Sequence, residues 1–296
     1  MKIAFSTIVC HEYTLPRIAE SARRHGYDGV ELYGIEGEKL TPDLLESRLD
    51  DVRRDMAGIA VPAIHSWTYL DYRNDDEQSA NSKTKLKSQW MSTPVEGQGA
   101  RAKMIGKAME LAAKLEIPLV KFFGAFPPDD LSLDDAFDAM AETVTPLVKR
   151  ANELGVTLMV ETHDGLPRGL DVHYLLSRVD DPALGAVWDT FHPHRCGEDV
   201  NVTDELIGAR TVHVHIKDNE RVPGKYLDRF KGWNPVAPSE GEVPNKEAVA
   251  LLHARGYDGY LSVDAERMWE PPGTYDAPEV IMAQYAKAMR EYIDAA

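Results

Sequence analysis

Eight short apolar runs recur along this chain, and a stretch of helical character follows each of them. The runs are "KIAFST" (2–7), "DGVELYG" (28–34), "VPAIHSW" (61–67), "PLVKFFG" (118–124), "VTLMVETHD" (156–164), "LGAVWDTFH" (184–192), "TVHVHIKD" (211–218) and "GYLSVDAE" (259–266). They are near-continuous in Val, Ile, Leu and Phe rather than alternating with polar residues, as expected of parallel strands covered on both faces. Between them, "TLPRIAESARRHG" opens on a Thr cap and stops at Gly26. "SLDDAFDAMAETVTPLVKRANELG" carries Pro146 as an expected kink. "GARAKMIGKAMELAAKLE", "NKEAVALLHARG" and "APEVIMAQYAKAMREYIDAA" have apolar residues at helical spacing. Eight strand–helix units predict an α/β protein, a (β/α)8 TIM barrel that takes residues 1–296 as one domain. A doubly wound sheet is the alternative, but no Gly-rich phosphate fingerprint follows the first run. Two long connections, 68–99 after the third run and 219–244 after the seventh, fall on the C-terminal face, where long loops serve as lids or substrate walls.

The net charge of −16 argues against a nucleic-acid or anionic-membrane surface. Cys10 and Cys196 match no metal or redox spacing and read as free thiols in a reducing cytoplasm. No apolar run approaches the length of a membrane span.

Ionisable side chains collect where the runs end. Glu161, Asp189, His215 and one of Asp264 and Glu266 each follow an apolar run, so each stands at the expected barrel mouth. A mixed Glu/Asp/His set suits a divalent ion, with Mn²⁺ placed first and Mg²⁺, Co²⁺ or Zn²⁺ as alternatives. In "VHVHIKDNER" (212–221), side-chain alternation turns His213 and His215 to the same side, with His215 nearer the mouth and His213 one layer deeper. Arg221 is expected to return over the mouth and grip substrate oxygens. His65 and His163 are candidate general bases of near-neutral pKa. Glu31 orients substrate or forms a buried ion pair, Lys217 pairs with a carboxylate, and Trp67 is among the tryptophans that could stack on a sugar face.

These segments, "VETHDG", "WDTFHPH", "VHVHIKDNER" and "GYDGYLSVDAE", resemble the xylose-isomerase-like barrels, which include sugar isomerases and epimerases, inosose dehydratases and endonuclease IV relatives. The resemblance covers nearly the whole chain and is most specific in residues 156–266. In the ketose 3-epimerase branch a Glu is followed by an Asp with a His at plus three, then a His with an Arg at plus six. Here these are Glu161, Asp189 with His192, and His215 with Arg221. The resemblance implies that Glu161 is ligand and acid/base, that Asp189 and His215 are ligands, and that His192 and Arg221 hold substrate. It implies a small-molecule sugar or glycoside substrate and leaves open a homo-oligomer or a small partner subunit. The strand-eight position that carries the second catalytic Glu in that branch is Asp264 here, with Glu266 two residues on. That departure puts a symmetric two-glutamate epimerisation in doubt. "LSVDAERMWEPPGTYDAPEV" and "PSEGEVP" further resemble a subgroup in which some members act on 3-keto-glycosides or C-glycosides by β-elimination. Two readings follow: a metal-dependent sugar isomerase or epimerase, and a metal-dependent lyase or dehydratase on a keto-sugar. Abasic-site DNA cleavage would want more His ligands and a basic groove.

Overall fold

The computed structural model describes residues 1–72, 99–222, 232–269 and 273–296. The expected loop after the third strand lies mostly outside the described residues, as does the middle of the one after the seventh. The eight barrel strands are β1 Lys2–Ser6, β2 Gly29–Glu31, β3 Ala63–Leu70, β4 Leu119–Gly124, β5 Thr157–Glu161, β6 Leu184–Asp189, β7 Thr211–Ile216 and β8 Tyr260–Val263. All pair parallel in the order β2-β1-β8-β7-β6-β5-β4-β3. The two ends of that sheet meet through isolated parallel bridges, Gly29 with Ala60 and Leu32 with Ile64, so the sheet curls into a barrel.

Helices return the chain between strands. They are α1 Leu15–His25, α2 Pro42–Ser47, α3 Leu49–Asp55, α4 Ala100–Lys114, α5 Leu133–Leu154, α6 Gly169–Arg178, α7 Phe191–Arg195, α8 Val200–Ile207, α9 Asn245–Ala254 and α10 Pro278–Asp294. Gly26 and Gly155 end α1 and α5 in the left-handed region. Ser132 caps α5, and that helix continues through Pro146. Thr14 precedes α1 without a side-chain cap bond, so Pro16 in the first turn and Gly26 set its limits instead. No helix among the described residues is long and apolar enough to cross a membrane.

The third strand runs past its expected end at Trp67. Register shifts between His65 and Tyr69, and Trp67 adopts a left-handed φ of 56°, costly for a bulky residue. The bulge is held by Trp67 itself, whose backbone N–H donates to His65 Nδ1 at 2.8 Å and whose indole N–H donates to the Tyr33 carbonyl at 3.2 Å.

Inside the barrel the strands build a floor and a polar storey. Ala63, Met159 and Val187 form an apolar floor with Leu119 and Val212 against it. Along β4 the inward positions read Leu119, Lys121, Phe123, so the lysine stands one layer above that floor. Glu31, His213 and Ser262 are buried with it, all at or below 1% exposure. The mouth lies at the C-terminal ends above them, where barrel active sites sit.

A candidate metal centre at the barrel mouth

His215 is the pivot. Its strand places it beside Asp189 on β6 and Ser262 on β8. Its Nδ1 lies 2.6 Å from Glu161 Oε1, 3.7 Å from Asp264 Oδ2 and 3.9 Å from Asp189 Oδ2. Ligand atoms from all four side chains fall within 4.8 Å of one another, and all four are buried. Three carboxylates around one imidazole nitrogen suit a divalent ion bound at ~2.0–2.2 Å per ligand. The opposite nitrogen strengthens the fit: His215 Nε2 donates to Glu31 Oε2 at 3.0 Å. A ligating histidine typically gives its other N–H to a carboxylate in this way, which fixes the ring and frees one lone pair. Asp264 Oδ1 is buried with no hydrogen-bond partner. The donor set therefore fits a divalent cation.

Each carboxylate is aimed by its own element. Asp189 ends β6, and its Oδ1 accepts the backbone N–H groups of Phe191 at 2.9 Å and His192 at 3.3 Å, so it starts α7 and leaves Oδ2 for the cluster. Glu161 ends β5, with Lys121 Nζ 3.1 Å from Oε2. Burial alone would raise the Glu161 pKa, but Lys121 and His215 hold it well below the usual carboxylate range. Asp264 follows β8, where its backbone N–H donates to the Ile216 carbonyl.

Glu31 sits under the pivot with no solvent exposure. Its Oε2 accepts from His213 Nε2 at 3.1 Å, His215 Nε2 at 3.0 Å and Ser262 Oγ at 3.1 Å. Lys121 Nζ stands 3.8 Å from its Oε1. Glu31 is thus a buried ion-pair and hydrogen-bond acceptor beneath the cluster. His213 supports it from one layer down.

Lys217 is also buried, with Nζ 2.8 Å from Asp189 Oδ2, 3.2 Å from Asp264 Oδ2 and 2.8 Å from Glu266 Oε1. Glu266 therefore stands apart from the His215 group. It falls in a second cluster with His163 and His192. The His163 and His192 rings are 4.4 Å apart, and His163 Nδ1 is 3.1 Å from Asp164 Oδ2.

The surroundings of three further side chains bear on the roles expected of them. Arg221 is exposed, in a hairpin of Asn219–Arg221 with Trp233–Pro235, and its guanidinium lies 5.0 Å over the Trp233 ring. The hairpin register sets it against this cross-strand partner. Trp67 is fully buried among Tyr33, His65 and Trp269. His65 is not a base of near-neutral pKa. Burial, aided by the Lys121 ammonium, pushes it well below the usual histidine range. Since its Nδ1 accepts the Trp67 N–H, the neutral ring carries its hydrogen on Nε2, a buried atom with no hydrogen-bond partner. The residue the strand pattern left unremarked is Lys121, although a lysine between Val120 and Phe122 in an apolar run was the visible signal.

A parallel eight-stranded barrel with clustered carboxylates and a histidine at its C-terminal mouth, able to hold a divalent ion, defines a class of α/β barrels. A model of the xylose isomerase-like TIM barrel family matches residues 19–292, and the chain belongs to that family. Among its curated relatives is a fructoselysine 3-epimerase from Shigella flexneri, 21% identical over 280 residues, covering 91% of each chain. Another is an inosose dehydratase from Lacticaseibacillus casei, 24% identical over 172 residues, or 55% of each. Of solved structures, the IOLI protein with a bound zinc atom superposes with a TM-score of 0.75 at 19% identity, over 100% of this chain and 99% of that one. The 3-keto-D-glucoside 4-epimerase from E. coli gives 0.69 at 16% identity, over 98% and 99%. At these identities the structural likenesses show the fold.

Proposed function

We propose that this chain is a divalent-metal-dependent isomerase or epimerase of a ketose or keto-sugar, with Mn²⁺ as its ion. The observation that carries this reading is the His215 nitrogen ringed by Glu161, Asp189 and Asp264. Glu161, Asp189, His215 and Asp264 would hold an ion, which would supply Lewis-acid polarisation of a carbonyl and its neighbouring hydroxyl and so acidify the adjacent C–H. Glu161 takes that proton, since Lys121 keeps its carboxylate ionised. His65 donates its Nε2 hydrogen to a substrate oxygen. Asp264 or His163 returns a proton to the same carbon from another side.

The relatives support the substrate class, since they include epimerases of fructoselysine and of a 3-keto-glucoside. A second reading, β-elimination from a keto-sugar or keto-glycoside, has its own observation. Strand eight brings Asp264 to the cluster, a side chain one methylene shorter than Glu161, and Lys217 pairs with both Asp264 and Glu266, so the two sides of the centre do not carry matched carboxylates. An elimination needs only the first proton transfer, and inosose dehydratases stand among the relatives.

Deuterium exchange separates the two. The Mn²⁺-loaded protein is incubated in D₂O with free ketoses and with 3-keto-glucosides, and products are followed by NMR and mass spectrometry. Solvent deuterium in an isomeric sugar supports the epimerase. An enone with loss of water or aglycone supports the lyase. Glu161→Gln is expected to lower either rate by about 10²–10⁴-fold. Activity that survives this substitution would remove Glu161 from the reaction.

A further inference from the structure

The second cluster, His163, His192 and Glu266, offers ligand atoms as close together as the first. It also adjoins the first, because His192 Nε2 is 3.7 Å from Asp189 Oδ2. Two clusters sharing an edge have the form of a two-metal centre, in which the ions stand about 3.5–4 Å apart and one carboxylate faces both. Here an ammonium already stands at the shared edge. Lys217 Nζ reaches Asp189, Asp264 and Glu266 within 3.2 Å and His192 Nε2 at 3.3 Å.

We propose that Lys217 is the fixed cation of the second position and keeps the centre mononuclear. The inference rests on the metal reading above. Five carboxylates, Glu31, Glu161, Asp189, Asp264 and Glu266, are buried here with two ammonium groups, Lys121 and Lys217. A second ion would be pressed against the Lys217 ammonium, which already stands among the atoms that would ligate it. The shared carboxylates support the same reading. Asp189 Oδ2 and Asp264 Oδ2 face His215 on one side and Lys217 on the other, as bridging carboxylates face two cations. Removing the charge while keeping the length of the side chain takes the ammonium out of the position between Asp189, Glu266 and His192.

The test is metal stoichiometry, by equilibrium dialysis against Mn²⁺ with elemental analysis, and the Mn²⁺ EPR spectrum. Wild type is expected to bind one ion per chain with an uncoupled signal. Lys217→Met is expected to bind two, with the broadened spectrum of a coupled pair. Lys217→Met combined with Glu266→Gln should return to one, and Lys217→Arg should stay at one. Should Lys217→Met fail to fold, Lys217→Gln carries the same expectation. Two ions in the wild type, or one in the charge-removed variant, would overturn the inference and leave the metal reading standing. No bound ion in the wild type would overturn both.

Discussion

His215 has a carboxylate on each side of its ring, and the two do different work. Glu161 lies 2.6 Å from Nδ1, where the proposed cation would bind, while Glu31 holds the hydrogen on Nε2. Replacing Glu31 by Gln removes that anchor, and metal affinity should fall about 10–100-fold, as measured by competition with a chromophoric chelator. The same ring sets the pH dependence. Without an ion, burial and Lys121 push its pKa down, but Glu31, Asp264 and Glu161 outweigh them and lift it to about 10. A raised pKa means that protonated His215 stabilises the metal-free fold fully below the ordinary value of 6.5, and that this contribution fades as pH rises through about 10. An ion must displace that proton, so affinity should climb by about tenfold per pH unit between those limits, with one proton released. Calorimetry in buffers of different ionisation enthalpy measures the release. Three of the four converging side chains, Glu161, Asp189 and His215, were legible in the sequence because each is a polar residue closing an apolar run, while the fourth stayed open between Asp264 and Glu266. Lys121 and the partners of Glu31 were not, since spacing shows that a side chain points inward but not which strand answers it.

At the scale of elements, Asp218 organises the loop that follows β7. Its Oδ1 accepts from the Asn219 and Val243 N–H groups and its Oδ2 from those of Ser239 and Gly241, within 2.8–3.2 Å. A Cβ at position 241 would collide with Asp218 Oδ1 and the Asn219 carbonyl. Gly241→Ala should therefore destabilise the protein by about 1–3 kcal/mol, read as a lower denaturation midpoint. The "PSEGEVP" segment is thus a loop built onto a strand-end aspartate. The helices α1, α4, α5, α9 and α10 were placed from sequence, and α2, α3, α6, α7 and α8 were not. The case of α7 shows why. It spans five residues, contains Pro193, and takes its N-terminal acceptor from Asp189, which reads as a ligand. The Trp67 bulge was equally hidden, because its indole bonds to Tyr33, 34 residues away and outside the local pattern.

For the molecule as a whole, the eight-run alternation was enough to give the barrel, and the strand-end polar residues gave the face that carries the chemistry. A cation held by Glu161, Asp189, His215 and Asp264, as proposed, would tie together β5, β6, β7 and the end of β8. Saturation at 100 times Kd adds about 2.7 kcal/mol of stability, so stripping the ion with a chelator should lower Tm by roughly 4 °C in a chain of this size. Thermal scans with and without chelator measure it. The most direct test of the account is an anomalous difference map from crystals of Mn²⁺-loaded protein. The account predicts one strong peak about 2.2 Å from Glu161, Asp189, His215 and Asp264, with Glu31 still bonded to His215 Nε2. A map with no peak there, or with its peak ligated by Glu266 in place of Asp264, would contradict it.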